Sequence, residues 1–442
     1  MANYEEAYTL YQKCISISEK SNGPNHPNTA AAFSSLAMLL NDMGDYDEAV
    51  PLFERARSIK EEAFGPEDPS VATTLNDLAM ALIELRELEE AETLLRRSLY
   101  INEKAYGSEH PETATLLNNL GGLLDKMERY EEAEPLYRRS ISIKEKILGP
   151  KHPDTAVSIS CLAVLLNNLG NYEEALQCFE RALDIYKEAL EPDHPYIAIA
   201  LSNYAMLMKN MENYEEAEAL YRRSLSIREK SLGPKHLDTA SSLSSLADVL
   251  MDMEKYEEAE TLSRRLLSIR TEALEPGHPD IAQSLCCLGD ALNNMGKLKE
   301  AEPLYRRGVS IYEEAFGEEH LSIVTALFKL AELLDSLGNV EEALVLYKKA
   351  LAAEEKLFGP DCVNVSISLS NIAMILRELG RHKEALPLIK RSVETAEKIF
   401  GLDHPNTART HKNLAQIEEE LKSSENNLGN TTSKKKNIRR KR

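Results

Sequence analysis

The stretch LLNNLGGLLDKMERYEEAEPLYRRSISIKEKILGPKHP, residues 116–153, holds two apolar stripes separated by a short polar link. In the first, Leu117, Leu120, Gly121 and Leu124 follow at steps of three and four; in the second, Tyr130, Ala133, Leu136, Tyr137, Ser140 and Ile143 do the same. Each stripe is one face of a 3.6-residue helix. The link DKMER leaves room for a tight turn only, and in the next unit it reads NNLGN, where Gly170 supplies a positive φ. Small Gly121 and Ala133 let the paired helices approach, and large neighbours fill the space beside them.

The end of the stretch is punctuation. LGPKHPDTA at 148–156 returns as LGPKHLDTA at 232–240 with one change. Histidines occupy the same slot at His26, His110, His152, His194, His236, His278, His320 and His404, with Asp68 and Cys362 in the two remaining slots, at a constant spacing of 42. A second comb of equal period, YEEA and its variants, begins at Tyr4, Tyr46, Leu88, Tyr130, Tyr172, Tyr214, Tyr256, Leu298, Val340 and His382. Two combs in lockstep define a repeat array. Gly149 suits the left-handed position that ends a second helix, Pro150 stops it, and Pro153 fits the first turn of the next. His152 then falls at the N-cap, a slot that Asp68 would fill better and into which Cys362 does not fit.

Hydrophobic content of 43% and charged content of 28% lie in the range of a folded soluble protein. The six cysteines form no CxxC pair and read as thiols of a reducing compartment. The start, MANYEEAYTL, resembles no secretion signal, and no apolar run approaches the ~20 residues of a membrane span. Net charge is −21, although the last ten residues, SKKKNIRRKR, carry seven cations and no acid. Such a body repels nucleic acid, and only the tail offers it a weak contact. These features point to a cytoplasmic protein without membrane insertion.

Residues 116–153 closely resemble tetratricopeptide repeats of the 42-residue kind found in kinesin light chains and nephrocystin-type ciliary proteins, and the likeness extends over residues 1–421. The large-small-large pattern is matched by Leu117, Leu120, Gly121, Leu124, Tyr130, Ala133, Tyr137 and Ser140. The resemblance implies an all-α, right-handed solenoid of stacked antiparallel helix pairs, the first helix of each pair lining a concave face. Nine repeats fill residues 22–401, at 30–63, 72–105, 114–147, 156–189, 198–231, 240–273, 282–315, 324–357 and 366–399. A half-repeat helix within 1–21 precedes them, leaving open a natural beginning or missing upstream sequence. A charged capping helix follows at 402–421, and residues 422–442 read as a disordered basic tail.

Catalytic readings fare poorly. Packed helices ~8–10 Å apart cannot gather successive loop histidines around one metal at ~2.0 Å bonds. Paired acids such as Glu131-Glu132 recur where second helices begin and complement the helix dipole. Arg138 and Arg139 are expected to pair with acids one helical turn away. No phosphate-loop, dinucleotide, zinc-protease or nucleophile-elbow motif is present. We read the chain as no enzyme, with no cofactor and no metal.

The resemblance turns attention to the first helices. Asn118 and Asn119 lie on the third repeat, Val164, Asn167 and Asn168 on the fourth, and Ile199, Asn203, Met206 and Asn210 on the fifth. Asparagine amides donate and accept at once, so a ladder of them can hold an extended main chain while Val164, Ile199 and Met206 supply apolar pockets. Asn119, Asn203, Asn371 and Asn413 match a peptide-gripping asparagine of the light-chain family, whereas Ser35, Asp77, Cys161, Ser245, Cys287 and Lys329 depart from it. Asp77, Glu84, Asp248 and Asp252 flank the stretch and favour a neutral or basic peptide over a strongly acidic one. The basic carboxylate clamp of chaperone-binding relatives is missing, its slots being filled by Thr115, Ser160 and Cys161. The expected function is a noncatalytic adaptor binding peptide segments of partner proteins. The alternatives are a regulatory segment of a larger signalling, motor-adaptor or ciliary protein, and nuclear import or nucleic-acid contact through residues 433–442.

Overall fold

The computed structural model describes residues 2–317 and 319–439, with side chains described for 4–317 and 319–423. These residues form twenty α-helices and no strand. The chain divides into two compact units, Met1–Ser231 and Leu232–Arg442. In the first, α1 (Ala2–Asn22) precedes five pairs: α2 (Pro27–Met43) with α3 (Tyr46–Phe64), α4 (Pro69–Glu84) with α5 (Leu88–Tyr106), α6 (Pro111–Lys126) with α7 (Tyr130–Ile147), α8 (Pro153–Asn168) with α9 (Tyr172–Ala189), and α10 (Pro195–Asn210) with α11 (Tyr214–Ser231). The second holds α12 (Leu237–Asp252) with α13 (Tyr256–Ala273), α14 (Pro279–Asn294) with α15 (Leu298–Phe316), α16 (Leu321–Ser336) with α17 (Val340–Phe358), α18 (Val363–Glu378) with α19 (His382–Phe400), and finally α20 (Pro405–Arg439). This is an all-α solenoid.

Each first helix begins three residues before the bound drawn from apolar spacing, at Pro111 rather than 114 for example. Proline presets the helical φ and loses no bonded N–H in the first turn. The comb of histidines explains the start. His152 Nδ1 accepts the Asp154 N–H at 3.1 Å, and His26, His110, His194, His236, His278, His320 and His404 make the same cap. Asp68 accepts from Ser70 at 2.9 Å. Cys362 is the correction: its Sγ accepts the Val365 N–H at 3.5 Å, so a thiol serves the same cap one residue further on.

Between first and second helices the chain turns through a positive φ in all nine pairs. Glycine takes it at Gly44, Gly170, Gly296, Gly338 and Gly380, but Arg86, Glu128, Glu212 and Glu254 adopt it too, at φ between 58° and 65°. Within a pair, the Ser140 hydroxyl donates to Ala114 O at 2.7 Å, and Ser98, Ser224 and Ser392 repeat the contact. A Cβ on Gly121 would lie 3.1 Å from the Tyr137 ring, a close approach that glycine permits.

Successive pairs are joined by a second buried position. Lys60 bonds Thr74 at 2.7 Å, Lys144 bonds Ser158 at 2.8 Å, Arg270 bonds Ser284 at 3.0 Å and the Ser368 hydroxyl bonds Glu354 at 2.5 Å. The expected one-turn pair Arg138–Glu134 forms at 2.8 Å, but Arg138 also reaches Glu174 of the next repeat, and Arg139 reaches Glu103 of the previous one. Exposed pairs of this kind contribute ~0–1 kcal/mol each.

The C-terminus departs from the sequence reading. The last helix was expected to end at Leu421 and the tail to be disordered, yet α20 continues to Arg439. The segment contains no proline after Pro405 and a single glycine, so its polar character removes packing without forbidding helical backbone. The side chains of the basic cluster, and residues 440–442 entirely, lie outside the described residues.

Candidate peptide-binding site

The asparagines of the proposed ladder are largely engaged within the protein. Asn119 Nδ2 donates to Asn76 Oδ1 at 2.8 Å, Asn210 Nδ2 to Asn167 Oδ1 at 3.0 Å, and Asn168 Nδ2 to Asp125 at 3.1 Å. Asn118 contacts the Cys161 thiol at 3.8 Å and keeps a buried, unbonded Oδ1. Asn413 repeats the pattern on Ser370 at 3.1 Å. Stacked first helices bring residues one repeat plus one position apart face to face, so these amides stitch neighbouring repeats together. Asn203 is different: among the described residues its side chain has no hydrogen-bond partner.

Asn203 lies at a cavity of about 270 Å³ lined mainly by residues of α8 and α10. Val157, Val164, Ile199 and Ala200 give it apolar lining, Ser160 and Cys161 a hydroxyl and a thiol, and Asp125 a carboxyl. Val164, Ile199 and Asn203 of the expected set are therefore brought together. Met206, half-buried, and Asn118, Asn119, Asn167, Asn168 and Asn210 do not line the cavity.

Sequence reasoning missed three tyrosines, Tyr137, Tyr186 and Tyr196, which complete the lining. Tyr186 and Tyr196 rings stand 6.1 Å apart and tilted. A signal was present for Tyr186. It occupies the repeat position held by Lys60, Lys144 and Arg270, and it faces Ala200 where those residues face a hydroxyl. The aromatic fills the space that the small alanine vacates.

Burial pushes the Tyr137 and Tyr186 phenols and the Cys161 thiol upward, so all three stay protonated at neutral pH. Burial also raises the Asp125 carboxyl, opposed by the bond from Asn168. Asp77 is raised by burial as well, with the Asn76 bond and the Lys60 charge opposing it. No group of three or more His, Cys, Asp or Glu among the described residues could hold a metal ion. None of the described helices is long and apolar enough to cross a membrane.

The sequence profile of the tetratricopeptide repeat matches residues 1–62, 31–98, 70–146, 154–230, 196–272, 238–314, 280–356 and 364–425. The chain belongs to the tetratricopeptide repeat family. No curated protein matches it in sequence. Among solved structures, the apo quorum sensor NprR from B. thuringiensis is similar over 80% of this chain and 99% of its own, at 16% identity and a TM-score of 0.56. The apo form of RapI covers the same shares at 13% identity and a TM-score of 0.51. The nearly identical TPR-like repeats of a Podosopora anserina kinesin light chain protein match 46% of this chain and 97% of their own at 25% identity, with a TM-score of 0.43. The first two likenesses establish the tetratricopeptide fold and nothing further.

Proposed function

We propose that this tetratricopeptide protein is a noncatalytic interaction scaffold that holds extended segments of partner proteins on the open face of α6, α8 and α10. The supporting observation is the cavity at Val164 and Ile199, with the unengaged amide of Asn203 beside it. An extended peptide needs a main-chain partner and a place for a side chain, and this stretch offers both. The segments are neutral or basic: Asp125 faces the cavity and no lysine or arginine lines it.

Display of random short peptides on the full chain tests the reading. Enriched peptides should be lost from Ile199→Asp and weakened by Asn203→Ala. Ile199 is 47% exposed, so the substitution leaves the fold in place. Peptides captured equally by wild type and both variants would remove the site from consideration. Asn119→Ala and Asn168→Ala serve as structural comparisons, because their amides are bonded within the protein.

A further inference from the structure

We propose that the cavity is a two-point reader: it takes one aromatic side chain as an anchor and pairs a neighbouring lysine or arginine of the same segment with Asp125. This deepens the peptide-binding reading above and rests on it.

The anchor follows from size and wall chemistry. An apolar cavity of roughly 150 Å³ accommodates benzene, and here about 270 Å³ is open on one side. Tyr137, Tyr186 and Tyr196 present rings from three different helices, and aromatic rings gain from edge and offset contacts beyond simple burial. Their hydroxyls give an indole N–H an acceptor that an aliphatic pocket would lack.

The cation follows from charge. Among the lining residues Asp125 is the one carboxyl group; burial raises it and the bond from Asn168 opposes that shift, while the phenols and the Cys161 thiol are held protonated. Asp125 accepts a hydrogen bond from the neutral Asn168 amide, and no cation among the described residues pairs with it. Lys144 and Lys126 are engaged elsewhere, Lys144 on Ser158 and the Asp154 carbonyl, Lys126 on Glu84. Asp125 also occupies the last turn of α6, where the helix dipole adds negative potential. The two points are separated along the cavity. Val157, Tyr196 and Ile199 belong to the first two turns of α8 and α10, and Asp125 to the end of α6.

Both face positions are apolar on α8 (Val157, Val164) and α10 (Ile199, Met206), and not on the two repeats before them. The positions of Val157 and Val164 are Thr115 and Gly122 one repeat earlier, and Thr73 and Met80 before that. A partner segment therefore finds one anchor point rather than a uniform groove.

The test uses the full chain and labelled short Gly/Ser peptides carrying one central Trp, with one Arg moved through positions on either side. Each has a Gln and a Glu counterpart. One Arg position should bind about tenfold tighter than its Gln counterpart, the scale of a charge-assisted hydrogen bond. That gain should vanish in Asp125→Asn, which retains the amide contact to Asn168, and all binding should vanish in Ile199→Asp. Trp peptides that bind and are lost in Ile199→Asp without an Arg preference, or an Arg preference that survives Asp125→Asn, would overturn the two-point reader while leaving the peptide face intact. So would failure of every Trp peptide when displayed peptides still depend on Ile199. If displayed peptides are also indifferent to Ile199, the peptide face itself falls.

Discussion

Two regions built from the same repeat behave differently: the first-helix face of α8 and α10, and that of α14 and α16, three repeats further on. Val157, Val164, Ile199 and Asn203 become Gln283, Asp290, Thr325 and Lys329. In the second region Lys329 Nζ meets Asp290 Oδ2 at 2.5 Å, and the Tyr305 hydroxyl donates to Asp290 Oδ1 at 2.6 Å. Tyr305 stands where the first region has Phe179, which has no hydroxyl and stacks on Tyr204 at 5.9 Å. One face is open and apolar with the Asp125 carboxyl in its lining; the other is bridged by its own ion pair. The scaffolding residues do not differ in kind, so a few face positions decide whether a repeat offers a site.

The largest expected effect comes from transplanting the bridge. Val164→Asp with Asn203→Lys places the Asp290–Lys329 pair in the first region, since both pairs are separated by the same 39 residues. Peptide capture should fall more than tenfold at unchanged helicity, measured by fluorescence anisotropy and circular dichroism. Full capture by that variant would show that the open face is not what binds.

Next is the packing beneath each face. A Cβ on Gly289 would lie 2.9 Å from the Tyr305 ring, which its bond to Asp290 holds in place, whereas Gly121 faces Tyr137 at 3.1 Å. Gly289→Ala should cost about 1–3 kcal/mol by overpacking, and Gly121→Ala less. Urea denaturation of the two variants checks the order, and equal losses would mean that Tyr305 is free to move.

Caps are expected to be smaller and equal on α6, which adjoins the first region, and on α16 of the second. His110→Ala and His320→Ala should each cost ~1 kcal/mol, and His→Asp at either should be near neutral because Asp68 already caps α4. A larger loss at one would mean that its ring does more than cap; Tyr106 stacks on His110 at 4.6 Å and Phe316 on His320 at 4.0 Å.

The smallest effect is one of pH. Burial lowers the Lys144 ammonium below its ordinary value, with the Asp154 charge opposing. Between its folded and unfolded titrations the unfolded chain binds more protons, so this lysine makes stability rise with pH there, just below the ordinary lysine range. Lys144→Met should remove that rise, read as the difference between the two alkaline denaturation profiles. An unchanged difference across the window would mean that Lys144 titrates as it does in water.

Much of this was legible in the sequence. The helices, their turns and the histidine caps follow from spacing and from residues at most a few positions apart, and such local chemistry is written in order along the chain. Cys362 resisted because sulfur is a weak acceptor and sits one residue out of register with the donor it finds. The four non-glycine residues in positive φ were illegible for the opposite reason. Their preference is overridden by the pairing of the helices they connect.

The candidate site divides along the same line. The resemblance to the tetratricopeptide pattern placed Val164, Ile199 and Asn203 on one inward face, and all three line one cavity. Which asparagines are occupied was decided only by stacking, because Asn119, Asn168 and Asn210 find partners 43 residues away in an adjacent repeat. The sequence by itself determined a repeated helix pair, its period and its caps, since each is enforced within one turn or one link. Tertiary structure alone decided which polar groups bond each other and where a cavity remains, since both depend on how neighbouring repeats superpose in space.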